Sequence, residues 1–201
     1  MNDSSPFNPL DKQNLGASVA DALLACAPHP LAKVPVFRGA GIYAIYYSGK
    51  FKAYMRIAAA NAGGELMQPI YVGKAIPAGG RKGANPLATG SMSKALYSRL
   101  SEHAESVKCC SSLSISDFSC RYLVVDDIWI PLGESLLIAR FAPVWNTFVD
   151  GFGNHDPGAG RYNGMRPRWD VLHPGRAWAE KCKPRPETAT EISTEIIARL
   201  S

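Results

Sequence analysis

Six side chains, widely separated along this chain, have the types needed to act together on an anionic ester: Tyr43, Tyr71, Arg99, His103, Glu134 and Asn146. Arginine does not give up its proton under ordinary conditions and its planar fork matches phosphate oxygens, so Arg99 is the expected clamp on a phosphoryl group. Glu134 offers a hard oxygen for one divalent ion. Mg²⁺ suits it, with Mn²⁺ as a substitute, because Mg²⁺ keeps most of its waters and needs one or two carboxylates. Hydrolysis of a phosphodiester asks for a base on the attacking water, a cation for the leaving oxygen and positive charge on the transition state. Tyr43 is the expected base. A phenol ordinarily titrates near ~10, so nearby cations or His103 must lower that value, or His103 must accept or relay the proton. Tyr71 is expected to position the phosphate or the nucleophile, and Asn146 to orient Tyr71, the phosphate or a neighbouring carboxyl. Taken singly, each has an ordinary explanation: half-buried strand tyrosines, a solvated Arg99–His103 helix face, an acid near a helix start, a turn asparagine. Their joint occurrence carries the reading.

The elements that must hold these residues are legible as pattern. Gly41 to Tyr47 is dense in Ile and Tyr and reads as a buried strand; Met67 to Val72 reads as a second, ending at Gly73. Ser48 to Gly64 between them reads as hairpin or insertion. Gly73 to Gly90 is a glycine-rich basic loop suited to a polyanion. Ser91 can cap a helix running to about Ser106, which puts Arg99 and His103 four residues apart on one face. Phe118 to Val125 supplies a third strand, and Glu134 to Phe141 a short helix that must stop by Pro143. An N-terminal helix over Asn14 to Cys26 and a C-terminal one bearing Ile192, Ile196, Ile197 and Leu200 should pack on this core. Asp150 to Pro186, rich in Gly, Pro, Arg and Trp, reads as ordered loop.

A chain of 201 residues that is 46% apolar and 19% charged can bury one sizeable core, and one domain with embellished ends is expected. No apolar run approaches the ~20 residues of a membrane span, and Met1 to Pro9 does not resemble a signal peptide, so a cytoplasmic protein is expected. The five cysteines lack zinc spacing and read as free thiols. The net charge of +5 only permits a nucleic-acid partner, but its distribution is more informative. Tyr71 to Ser101 carries Lys74, Arg81, Lys82, Lys94 and Arg99 with no acid, and His155 to Arg185 sets seven basic residues against Asp156, Asp170 and Glu180.

The two tyrosine motifs, Gly41-Ile42-Tyr43 and Tyr71-Val72-Gly73, followed in order by Arg99, Glu134 and Asn146, resemble the GIY-YIG nuclease superfamily over roughly Gly41 to Thr147. With His103 one turn beyond Arg99, the chain is most similar to the type II restriction endonucleases of that superfamily. The resemblance implies an α+β fold, a small three-stranded antiparallel sheet flanked by helices with N- and C-terminal extensions. It also implies site-specific cleavage of double-stranded DNA, a homodimer acting on a short GC-rich palindrome, and a cognate DNA methyltransferase. Sequence reading would then fall to the additions. Lys74, Arg81, Lys82, Arg161, Arg166, Arg168, Arg176 and Arg185, with the Gly79 to Gly83 loop, are the expected DNA contacts, most of them to phosphates. Trp169 and Trp178 are expected in the core. Two other functions remain open: a non-catalytic DNA-binding protein on this fold, and a repair or structure-specific nuclease that nicks. The carboxylate-plus-lysine signature of the commonest restriction-enzyme fold is absent, and Asn154-His155-Asp156 reads as a loop cap.

Overall fold

The computed structural model describes residues 8, 10–76, 93–158, 160 and 162–201. A long helix α1 (Lys12–Ala25) begins where the Asp11 carboxylate accepts from Gln13 N–H at 2.8 Å, an N-cap that satisfies one of the free donors of the first turn. Then come β1 (His29–Pro30), β2 (Gly41–Tyr47), α2 (Met55–Ala60), β3 (Pro69–Ala75), α3 (Ala95–Lys108) and β4 (Phe118–Val124). The chain ends with α4 (Ile130–Phe141), α5 (Val144–Thr147), α6 (Arg168–Leu172), α7 (Ala177–Glu180) and α8 (Ala189–Leu200).

The strands form one antiparallel sheet in the order β1-β4-β2-β3, so the fold is α+β as expected. The sheet has one strand more than the expected three, because the two residues of β1 pair with Ser119 and Cys120. The second tyrosine motif also does not end its strand: pairing continues through Lys74 and Ala75. The segment between β2 and β3 holds helix α2 rather than a hairpin.

Every residue of β2 is buried, and the two-residue period of a strand divides its side chains between two cores. Ile42, Ala44 and Tyr46 join Ala20, Leu23, Ile130 and Leu137 on the α1/α4 face. Tyr43, Ile45 and Tyr47 join Leu96, Leu100, Trp145, Phe152, Trp169 and Ile196 on the other. α1 and α4 approach closely at Gly16, where a Cβ would overlap Leu136. α4 starts with a proline in its first turn and ends at Ala142 in the left-handed region, directly before Pro143.

The chain beyond α5 is bound to this second core by a buried polar chain. Trp145 Nε1 donates to the Tyr54 oxygen at 2.8 Å, Tyr54 lies 2.8 Å from His173 Nε2, and Ser112 Oγ lies 2.8 Å from His173 Nδ1. With Tyr54 already accepting from the indole, its own proton goes to Nε2, and Nδ1–H donates to the serine. Burial pushes the His173 imidazole down to about 3, so the ring is neutral and the chain is fully paired.

Arginines do the remaining fastening, which corrects part of the expected DNA surface. Arg176 is 5% exposed. It donates to Asp170 and to the carbonyls of Gly151, Phe152 and Asn154, and it lies over the rings of Trp169 and Trp178. A guanidinium with its donors spent inside the protein is a strut and not a DNA contact. Arg166 donates to the carbonyls of Ala179 and Glu180, while Arg168 pairs with Glu195 and stacks on Phe148. Arg185 is shared between Glu187 and the Arg166 carbonyl. Arg81, Lys82, Arg161, Ser91 and the Gly79 to Gly83 loop lie outside the described residues.

Candidate active site

The site begins with a cross-strand pair. Tyr43 on β2 stands directly opposite Gly73 on β3, so the two project to the same face, and Tyr71 is two residues along that face. The glycine leaves room for the phenol. A Cβ at position 73 would overlap the Tyr43 hydroxyl, lie 2.6 Å from its Cζ and 3.0 Å from Tyr71 Cε1. Gly73→Ala is therefore expected to force Tyr43 out of place, lowering stability by about 1–3 kcal/mol, the usual range for overpacking, and cutting turnover at least tenfold. Urea unfolding beside a cleavage assay checks it; an alanine variant as active as wild type would mean the phenol can shift freely.

Asn146, on α5, holds this strand from its open edge. Its Oδ1 accepts from Val72 N–H at 2.8 Å and its Nδ2 donates to the Val72 carbonyl at 2.7 Å. The side-chain amide takes the place of a neighbouring strand, so Asn146 sets the position of the motif's backbone rather than orienting the Tyr71 ring directly.

α3 delivers two groups one turn apart. His103 is 1% exposed, with Nε2 2.6 Å from the Tyr43 hydroxyl and its ring stacked on Phe152 at 4.5 Å. Burial first, and then the Arg99 guanidinium, hold its pKa well below the usual range. Burial also pushes the Tyr43 phenol well above its ordinary value, with Tyr71 adding to the rise and Arg99 opposing it. Of the two routes open in sequence, a lowered phenol is the one this site does not provide, because desolvation of a phenolate outweighs the nearby guanidinium. What remains is a neutral phenol against a neutral imidazole, a pair through which a proton can pass.

Arg99 reaches the mouth of the site. It donates to the Gly153 carbonyl at 2.5 Å and to Glu102 at 3.0 Å, and it touches His155. Tyr71 is partly buried, its ring 6.2 Å from that of Tyr43 and 5.0 Å from Phe152. Gly153 lets the loop close over it, since a Cβ there would lie 2.5 Å from the Tyr71 hydroxyl. Phe152 and Gly153 carry no signal in sequence, and His155, which reads there only as part of a loop cap, joins them at the site.

Glu134, on the first half of α4, lies across from these groups. Its side chain is 17% exposed and Oε2 is 2.6 Å from the Lys74 ammonium on β3. Its charge acts on both tyrosines, raising each. The fold therefore gathers Tyr43, Tyr71, Arg99 and His103 at one place, with Glu134 within electrostatic reach of both tyrosines, Asn146 behind the strand and Lys74 on the carboxylate. Among the described residues no three His, Cys, Asp or Glu side chains converge as a metal cage. A lone carboxylate fits a hard ion that draws its other ligands from water and substrate phosphate.

The two buried histidines give stability a pH dependence. Both have folded pKa values below the ordinary ~6.5, so as pH falls the unfolded chain takes up protons that the folded chain refuses, and stability present above pH ~6.5 is lost. Each contributes a loss of about 1.4 kcal/mol per pH unit below that point. Two together predict a drop of roughly 3 kcal/mol between pH 7.5 and 5.5. Urea titrations at the two pH values test this, and an unchanged midpoint would contradict the neutral, buried assignment.

The chain matches the family model described as the Eco29kI GIY-YIG domain over residues 35–200, and it belongs to that family, a GIY-YIG family of type II restriction endonucleases. The match runs well past Thr147, so the segment fastened by Arg176 and His173 is part of the family domain. The family identifies the chain as a nuclease with DNA as the implied substrate. No curated protein matches the chain. No helix among the described residues is long and apolar enough to cross a membrane.

Proposed function

We propose that the protein is a type II endonuclease that cuts double-stranded DNA at a specific site, using Tyr43, His103, Arg99 and Glu134. The observation that carries this reading is the 2.6 Å hydrogen bond between Tyr43 and His103 Nε2, in a place where Arg99 and Glu134 both act on the same phenol. Arg99 grips the scissile phosphate, exchanging its Gly153 and Glu102 partners for phosphate oxygens. The attacking water gives its proton to the Tyr43 oxygen while the Tyr43 proton passes to His103 Nε2, so no free phenolate need form. Tyr71, at the less buried side, orients the phosphate. Glu134 would hold one Mg²⁺, or Mn²⁺ in its place, and the ion would supply positive charge at the leaving oxygen. Lys74, released from Glu134, contacts the DNA backbone, and Arg81, Lys82 and Arg161 are further proposed contacts.

One such site cuts one strand, so a double-strand break calls for a homodimer on a palindrome, for which we propose a short GC-rich sequence. A methyltransferase of the same specificity would protect the host DNA. Digesting a plasmid of known sequence with Mg²⁺ and sequencing every end tests the reading: one reproducible sequence at both strands is the expected result. Nicks at scattered sequences would indicate a repair or structure-specific nuclease, and binding without cutting would indicate a DNA-binding protein on this fold.

A further inference from the structure

We infer that His155 is a second phosphate-contacting residue of this site and takes up a proton when DNA binds. The inference rests on the nuclease reading above. His155 is an exposed imidazole on the loop after α5, touching Arg99 Nη1 through Nε2, with Nδ1 3.3 Å from the same nitrogen and 3.6 Å from Glu102. Because it touches Arg99 Nη1, a ligand at Arg99 meets it directly, and its other side lines a surface cavity of about 370 Å³ with Gly153, Asn154, Met165, Trp178 and Cys182. Among the described residues Arg99 also donates to the Gly153 carbonyl and the Glu102 carboxylate, which a phosphate would only displace. The imidazole can stay and change role.

A guanidinium offers N–H donors only, so the ring nitrogen that faces Arg99 in this arrangement is unprotonated and accepts. A phosphodiester anion drawn between the two reverses the preference. Its oxygens accept from Arg99 on one side and from an imidazolium on the other, and the anion offsets the repulsion that would otherwise separate two cations. Imidazole is the side chain able to make this change near neutral pH, the proton coming from solvent.

The surroundings permit it. From α3, Arg99 and Glu102 face His155 and His103 lies behind them, held neutral and committed to Tyr43. Asp156, next in the loop, is turned to Gly158 N–H and the Tyr162 hydroxyl. Arg176 is occupied by Asp170 and the Asn154 carbonyl, and Cys182 closes the far side of the cavity.

The experiment measures binding of a duplex carrying the enzyme's own cut site, in EDTA and at fixed salt, from pH 8.5 to 6.0. Wild-type affinity is expected to tighten about five- to tenfold as pH falls, as for one imidazole gaining a proton on binding. His155→Gln should remove that slope, so that its deficit against wild type widens as pH falls. A variant that keeps the slope, or one that weakens binding equally at every pH as a merely structural loop residue would, overturns the inference. If wild type neither cuts nor binds the duplex, the nuclease reading itself has failed, which is a separate result.

Discussion

Replacing Glu134 with alanine is expected to lower cleavage by at least about a thousandfold, equivalent to some 4 kcal/mol of transition-state stabilisation, while leaving DNA bound. Among the described residues Glu134 is the carboxylate that acts on both tyrosines and that a hard cation can reach beside them. The variant should fold well. The lost partner, Lys74, is 36% exposed, and an ammonium at the surface returns to water at little cost. Removing a negative charge from beside the phosphate path should hold affinity for DNA steady or raise it. Plasmid cleavage and a gel-shift in parallel separate the two effects. Retained cutting would move the ion, if one acts, to another residue.

Tyr43→Phe is the second large effect, an expected loss of about 10²- to 10⁴-fold in cleavage, the usual contribution of a positioned proton acceptor. The phenyl ring preserves the packing against Tyr71 and His103, both within ordinary ring-contact distance. What disappears is the hydroxyl, and with it the partner of a buried imidazole nitrogen. An unpaired buried acceptor costs about 1–3 kcal/mol. The variant should accordingly melt somewhat lower but still bind DNA, so activity must be measured well below its melting point. Full activity in the phenylalanine variant would transfer the base to Tyr71 or to another group.

Much of this site was legible in sequence because its parts lie on elements with strong local signals. Gly41-Ile42-Tyr43 announces a buried strand through its aliphatic and aromatic density, and the four-residue spacing of Arg99 and His103 places both on one helical face. The helix stop before Pro143 follows from proline's effect on its predecessor, and Ala142 takes the left-handed turn that ends α4. The arginines after Asp150 were illegible for a physical reason. A positive charge in a loop looks the same whether it faces solvent or, like Arg176, is sandwiched by Trp169 and Trp178 over Asp170; only packing distinguishes them. The state of Tyr43 was equally hidden, because its titration is set by how completely the fold encloses it. β1 has two residues, too few for any periodic signal, and Lys74 meets Glu134 only once the sheet has brought β3 against α4.

The amide of Asn146 has a consequence outside catalysis. The outermost strand of an open sheet is a natural seed for association with a like strand of another molecule, and at Val72 this one is sealed by a side chain from its own helix. Colloidal behaviour and chemistry thus draw on the same carboxamide, so drift at this position would be punished by clumping of the protein as well as by a misplaced motif.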